Sequence, residues 1–190
     1  MRIAISGASG TGKTTLATAL AAHYQLPINP IGSRTVAKAM GYENPYDVDR
    51  DGKRFEFQEK LFEMKRAWEQ EHEHFVTDRS YLDNLTYCAL HMAERTTEEV
   101  VDYHMAAMDR YDVVLVLPAV RGLHRLDDGV RITNPMYHAI YDMLLQCFYT
   151  LLARLNPIRT VYVMSSASAE GRLAEAKAVI QGFDPPGAPE

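Results

Sequence analysis

The sequence predicts an α/β domain, a three-layer sandwich in which a five-stranded parallel sheet is flanked by helices. Three observations carry this. Apolar, β-rich segments recur at residues 3–6, 26–29, 75–78, 113–117 and 161–164. The stretches between them mostly repeat their apolar residues at helical spacing, and strands alternating with helices imply parallel pairing with helices on both faces. The first strand also runs directly into Gly7-Ala8-Ser9-Gly10-Thr11-Gly12-Lys13-Thr14, which fits G-x-x-x-x-G-K-[ST], a pattern that demands a strand before it and a helix after it.

The elements follow in order. After the glycine-rich run, Leu16, Ala17, Leu20, Ala21 and Tyr24 mark one side of a helix. Residues 36–40 read as a short helix stopped at Gly41, and 44–52 as a turn-rich loop. A long helix starts near Lys53, with Phe57, Leu61, Met64 and Trp68 as its core stripe and Glu59, Lys60, Lys65 and Arg66 outward. Residues 82–91 read as helix, and Thr96 with Glu99 forms a capping box that opens a helix through Met108. Thr133-Asn134-Pro135 starts another helix, whose stripe is Met136, Ile140, Leu144, Phe148, Leu151 and Leu155. Ser168 caps a last helix that Gly182 ends. Residues 1–182 therefore read as one domain and 183–190 as a mobile tail, with no internal repeat.

Composition narrows the function classes. The 190 residues are 47% hydrophobic and 24% charged, as in ordinary globular chains. No apolar run approaches the roughly 20 residues that span a bilayer, and the chain opens on a strand where a signal peptide would stand. The expectation is a cytoplasmic protein without a membrane partner. Cys88 and Cys147 lack metal or redox spacing and read as buried free thiols. A net charge of −5 argues against electrostatic coating of nucleic acid, although a local basic groove is compatible with it. The oligomeric state stays open, a homodimer being one candidate.

The chemistry is expected at the carboxyl ends of the strands, where ligands bind in open α/β sheets. Glycines let the first loop turn its N–H groups inward on a triphosphate, so Gly7, Ala8, Ser9, Gly10, Thr11, Gly12, Lys13, Thr14 and Thr15 are the nucleotide-binding residues. Lys13 would bridge the β- and γ-phosphates of ATP, and the Thr14 hydroxyl would hold Mg²⁺. Asp78 and Arg79 end the third predicted strand. The acid suits either the metal or the proton of an attacking hydroxyl, and the arginine suits a substrate phosphate or Asp78 itself. Residues 119–133 read as a basic lid in which Arg131, Arg125 and Arg121 could compensate charge during phosphoryl transfer. His72-Glu73-His74 does not place both imidazoles on one helical face and reads as a solvated helix end. Tyr42, Tyr46, Asp47 and Asp49 line an acceptor pocket or cap the long helix.

With these residues the chain resembles the P-loop kinases of the thymidylate kinase and deoxynucleoside kinase group, and the related AAA-type domains that include ribosylnicotinamide kinases. Asp78-Arg79-Ser80 is similar to the Asp-Arg or Glu-Arg motif of those kinases, and Phe57-Gln58 to a Phe-Gln pair that contacts the base. The resemblance makes Gln58, with Arg34, Arg79 and Tyr42, the substrate residues, Gln58 facing a pyrimidine. Tyr111-Asp112-Val113-Val114 resembles the approach to the fourth strand, and Asp127-Asp128-Gly129-Val130-Arg131 the lid of the ribosylnicotinamide-kinase-like branch. One departure stands out: Asn29-Pro30-Ile31-Gly32-Ser33-Arg34 replaces the acid followed by proline expected after the second strand. The segment Gly41-Tyr42-Glu43-Asn44-Pro45-Tyr46-Asp47-Val48-Asp49 looks most like the phage-encoded branch that phosphorylates 5-hydroxymethyluracil within DNA. The implied reading is an ATP- and Mg²⁺-dependent kinase with a pyrimidine nucleotide acceptor, in DNA for the specific branch and in the host cytoplasm if phage-encoded. Arg34, Lys38, Arg50, Lys53 and Arg54 would then line an open acceptor cleft. A kinase of a free nucleoside, nucleotide or ribosylnicotinamide, and an ATPase switch without an acceptor, are the alternatives.

Overall fold

The computed structural model describes residues 1–119, 134–155 and 160–182. Strands β1 (Arg2–Gly7), β2 (Phe75–Asp78), β3 (Val113–Leu117) and β4 (Thr160–Val163) form a parallel sheet in the order β2-β1-β3-β4. β1 and β3 end together, Gly7 opposite Leu117, and Asp78, the last residue of β2, stands opposite Ile5, just short of that end.

Period-two alternation sends Ile3 and Ile5 to one face of the sheet and Ala4 to the other. The first face packs on α1 (Lys13–Tyr24) through Leu16, Ala17 and Leu20, and on α8 (Ala169–Gln181) through Ala176 and Ile180. The second face carries Phe75, Val114 and Val116 against α4 (Arg54–Glu71), α5 (Tyr81–His91), α6 (Glu98–Ala107) and α7 (Pro135–Leu155). The result is the three-layer sandwich.

Five expectations about the elements are corrected. Among the described residues the sheet has four strands, because residues 26–29 reach β2 through one bridge, Ile28 to Val76. Pro27 lacks an N–H and Pro30 closes the segment, so the ladder cannot extend. The loop 44–52 contains a short helix, α3 (Pro45–Arg50), started by the Asn44 side chain and following α2 (Ser33–Ala39). Thr97, one residue beyond Thr96, caps α6, while the Thr96 hydroxyl donates to the Met92 carbonyl. On α4 the buried face is Phe57, Gln58, Phe62, Lys65 and Glu69, so Lys65 points inward. On α7 it is His138, Tyr141, Leu145, Tyr149 and Leu152, which leaves Met136, Ile140, Leu151 and Leu155 of the expected stripe exposed.

The buried charges on α4 are paired. Lys65 Nζ lies 2.8 Å from Glu69 Oε1 and also bonds the Thr77 hydroxyl of β2. Glu69 further accepts from Asn29 Nδ2 at 3.1 Å, from the Tyr81 hydroxyl at 2.7 Å and from the Tyr111 hydroxyl at 3.3 Å. A buried ion pair is tolerated when its remaining polar positions are filled in this way. Cys88 is buried, with its thiol pushed up to about 12 by burial, whereas Cys147 is exposed against expectation. Among the described residues no helix is long and apolar enough to cross a membrane.

Candidate active site

The loop after β1 is built on glycines whose backbones no other residue would adopt easily. Gly7 has φ 132°, and a Cβ there would stand 2.3 Å from the Leu117 carbonyl oxygen of β3. Gly12, with φ 91°, is the N-cap of α1. The helix thus opens with its N–H groups beside the loop, an arrangement that favours an anion. Across the loop, Lys13 Nζ donates to the Ala8 carbonyl at 2.6 Å, as does the Thr11 hydroxyl at 2.9 Å. Arg172 of α8 braces the same loop from behind, donating to the Thr11 carbonyl and, through Nε, to the Ser166 carbonyl at 2.8 Å. No sequence pattern singles out Arg172, since its role depends on a helix more than 150 residues away in the chain.

Asp78 ends β2 beside this loop, and its Oδ2 accepts from the Thr14 hydroxyl. Its Oδ1 is buried and without a hydrogen-bond partner. An orphaned buried carboxylate oxygen beside a hydroxyl is the donor set Mg²⁺ uses when phosphate and water supply its other ligands. Thr14 and Asp78 therefore fit the metal. Among the described residues no group of three or more His, Cys, Asp or Glu side chains forms a separate metal cage.

Arg79 is held with φ 84°, a left-handed conformation that non-glycine residues keep only where the surroundings enforce it. Its N–H donates to the Ile5 carbonyl at 2.8 Å, and its Nη1 reaches the Tyr141 hydroxyl at 3.3 Å and Asp83 Oδ1 at 3.5 Å. Asp83, 2% exposed, is the hub: it accepts from the Ser6 hydroxyl at 2.6 Å, Ser80 N at 2.9 Å and Gly7 N at 3.3 Å. It thereby ties the phosphate loop to the Asp78-Arg79 turn. Burial pushes the Tyr141 phenol well above its ordinary range, so it stays a donor, and it donates to the Asp83 carbonyl at 3.1 Å. The Ser80-x-x-Asp83 spacing is a capping box, a signal by which Asp83 could have been found.

A cleft of about 450 Å³ runs from Ser9 and Thr14 past Asp78 and Arg79 to Gln58 and Tyr87. The structure thus brings together the phosphate loop, the Asp-Arg turn and Gln58. It does not bring in Arg34 or Tyr42. Arg34 is exposed on α2, and the Tyr42 hydroxyl donates to Asp51 at 2.9 Å while its ring lies under Lys53, away from the cleft lining. Tyr46 and Asp49 do line the cleft. Of the basic residues assigned to an acceptor groove, Arg54 is bidentate on Asp49 at 2.7 and 2.8 Å and Arg50 is paired with Asp47. His72 stacks on Trp68 and bonds its carbonyl, which makes the His72-Glu73-His74 segment a helix end. Arg121, Arg125 and Arg131, with most of the lid at 119–133, and the tail 183–190 lie outside the described residues.

Comparison with known proteins places this geometry. A family model described as AAA domain matches residues 2–163. No curated protein sequence matches the chain. Among solved structures, the NadR protein in complex with NAD and AMP-PNP superposes with a TM-score of 0.70 at 15% identity, covering 100% of this chain and 51% of that one. Deoxyadenosine kinase from M. mycoides, bound to dCMP and dCDP as products, gives 0.68 at 15% identity over 97% and 100% of the two chains. Shikimate kinase from Aquifex aeolicus gives 0.64 at 16% identity over 96% and 97%. At such identities the likeness is one of fold. The chain belongs to the AAA domain family, and its fold is that of the P-loop kinases.

Proposed function

We propose that this chain transfers the γ-phosphate of ATP to an oxygen of a single nucleoside or nucleotide acceptor with a pyrimidine-like base, a hydroxyl in a nucleoside and a phosphate oxygen in a nucleotide. The observation that carries the reading is the continuous cleft joining Thr14 and Asp78 at one end to Gln58 and Tyr87 at the other. Its volume of about 450 Å³ suits one small ligand and is of the size that buries most of such a molecule. The related fold is bound to dCMP and dCDP in deoxyadenosine kinase and to AMP-PNP in NadR, which supports a nucleotide ligand for this fold.

Residues 7–15 would cradle the triphosphate. Lys13 leaves the Ala8 carbonyl to meet the β- and γ-oxygens, exchanging a neutral acceptor for a charged one. Thr14 and Asp78 would hold Mg²⁺, which neutralises charge on those oxygens when bound. Phosphoryl transfer asks mainly for positioning and charge compensation, and the Asp83 hub supplies the first by locking the loop to the Asp78-Arg79 turn. Arg79 faces the developing charge from the acceptor side. Asp78 Oδ1, with no protein donor, has two roles open to it, the metal and the hydroxyl proton. The acceptor oxygen forms the new P–O bond as the bond to ADP breaks, and its proton passes to Asp78 or to water.

The narrower form of the reading is 5-hydroxymethyldeoxyuridine in DNA; the other is a free nucleoside or nucleotide. The ion pairs of Arg50 and Arg54 with Asp47 and Asp49 remove two cations from a DNA-binding groove and favour the free acceptor. Transfer of labelled γ-phosphate to hydroxymethyluracil DNA, unmodified DNA, thymidine, thymidylate and nicotinamide riboside, with a no-acceptor control, tests this. Label on thymidine or thymidylate is the expected result, and label on modified DNA alone selects the DNA form. Phosphate release independent of every acceptor refutes the kinase reading.

A further inference from the structure

Gln58 enters the cleft with one side of its amide already engaged. Its Oε1 position lies 2.6 Å from the Nδ2 position of Asn84 on α5, and the Oδ1 position of Asn84 lies 2.6 Å from Nε2 of His104 on α6. The far nitrogen, His104 Nδ1, is 2.7 Å from the Val100 carbonyl oxygen. Gln58, Asn84 and His104 are 6%, 8% and 6% exposed. Three helices are joined by a line of polar groups that ends at the cleft.

This line can carry its protons in only one direction. A carbonyl accepts and never donates, so Nδ1 of His104 must hold a proton. The imidazole is packed against Phe62 at 4.6 Å and near the Tyr103 ring at 6.5 Å, and the Tyr103 hydroxyl is taken by Arg66. Burial pushes it down to about 4 against the Val100 bond, so at neutral pH it holds a single proton. Nε2 is then a bare acceptor. A terminal amide turned by 180° occupies the same heavy-atom positions, and only the orientation with NH₂ toward His104 satisfies Nε2. The Asn84 oxygen then faces Gln58, which must answer with its own NH₂. The Asn84 amide also lies 3.5 Å from the Gln58 main-chain carbonyl, a separation too long to decide the orientation against two contacts at 2.6 Å.

We infer that His104 and Asn84 fix the Gln58 amide with its carbonyl oxygen toward the cleft, so the site selects an acceptor whose base edge offers an N–H donor. The second half rests on the cleft being the acceptor site. A pyrimidine with a free N3–H meets the requirement, and its N3-methyl derivative leaves a buried oxygen unpaired, the kind of mismatch by which sites discriminate most sharply. His104 and Asn84 act through Gln58 and are positioning residues.

The test reads protons directly. In ¹⁵N-labelled wild-type protein at pH 7, His104 is expected to show a protonated Nδ1 and a bare Nε2, with a scalar coupling across the hydrogen bond from Asn84 Nδ2. A protonated Nε2 overturns the relay. For the ligand half, wild-type protein should bind thymidine about 10- to 100-fold more tightly than N3-methylthymidine. Asn84→Leu should bring that ratio down toward unity, and an unchanged ratio in the folded variant overturns the role of the relay in selection. If wild type binds neither nucleoside, the pyrimidine reading fails, while the imidazole spectrum still decides the orientation of Gln58.

Discussion

At the residue scale the site turns on backbone positions as much as on charges. Gly7 shows this most sharply, because any Cβ would meet the Leu117 carbonyl oxygen, part of a strand that cannot retreat without breaking its pairing with β1. Gly7→Ala is therefore expected to destabilise the fold by several kcal/mol, on the order of 3 or more, as strain and clash combine. Urea unfolding monitored by circular dichroism checks this, and a loss below about 1 kcal/mol contradicts the geometry. Asp78→Asn keeps a hydrogen-bonding partner for Thr14 but removes the orphaned charge, so turnover should fall about 10²- to 10⁴-fold while ATP binding changes less. Steady-state kinetics with isothermal titration of ATP separates the two effects. Much of this was legible in the sequence: the phosphate loop by its spacing, and Asp78-Arg79 by its place at a strand end. Asn84 and His104 were not, because a single amide or imidazole on a helix carries no pattern until its partners on other helices are known.

At the element scale the sequence located the helices better than it located their inward faces. On α7 the expected stripe follows apolar spacing, yet the packed face is led by Tyr141 and Tyr149, whose hydroxyls are satisfied by Asp83 and Ser80. An aromatic with a polar tip looks ambivalent in a periodicity count and is strongly apolar once that tip is bonded. Lys65 likewise points inward where its charge alone predicts exposure, since a buried lysine becomes reasonable only beside Glu69 and Thr77. Two measurements test the corrected faces. Leu145→Ala should cost about 2 to 5 kcal/mol, whereas Met136→Ala, in the expected stripe but 66% exposed, should stay within about 0.5 kcal/mol. Lys65→Met leaves Glu69 as an uncompensated buried charge and should cost about 3 to 5 kcal/mol, more than its loss of packing explains. Equal costs for the two α7 substitutions in denaturant titrations would return the helix to the stripe that apolar spacing predicts.

At the scale of the whole molecule, the sheet order brings the β1 loop and the end of β2 to one edge, while the helices behind that edge carry the polar lines that hold it. One consequence is a dependence of global stability on pH that separates those lines. His104 is neutral in the folded chain, pushed by burial from 6.5 down to about 4, so between these values the unfolded chain binds the extra proton. Stability from this group is complete above pH 6.5, falls as the pH drops toward 4, and levels off below that. The gap corresponds to about 3 kcal/mol. Glu175 works in a lower window. Burial opposes its charge, but the N–H groups of Ser165 and Ser166 outweigh that and hold the carboxyl at about 2, so its contribution fades only between about 4.5 and 2. Urea unfolding at pH 7, 5.5 and 4 should show wild type losing stability across the upper window. His104→Gln should be less stable at pH 7 yet flatter between pH 6.5 and 4. A variant as steep as wild type in that window would mean that other groups titrate there and that the buried imidazole is not the neutral end of the line to Gln58.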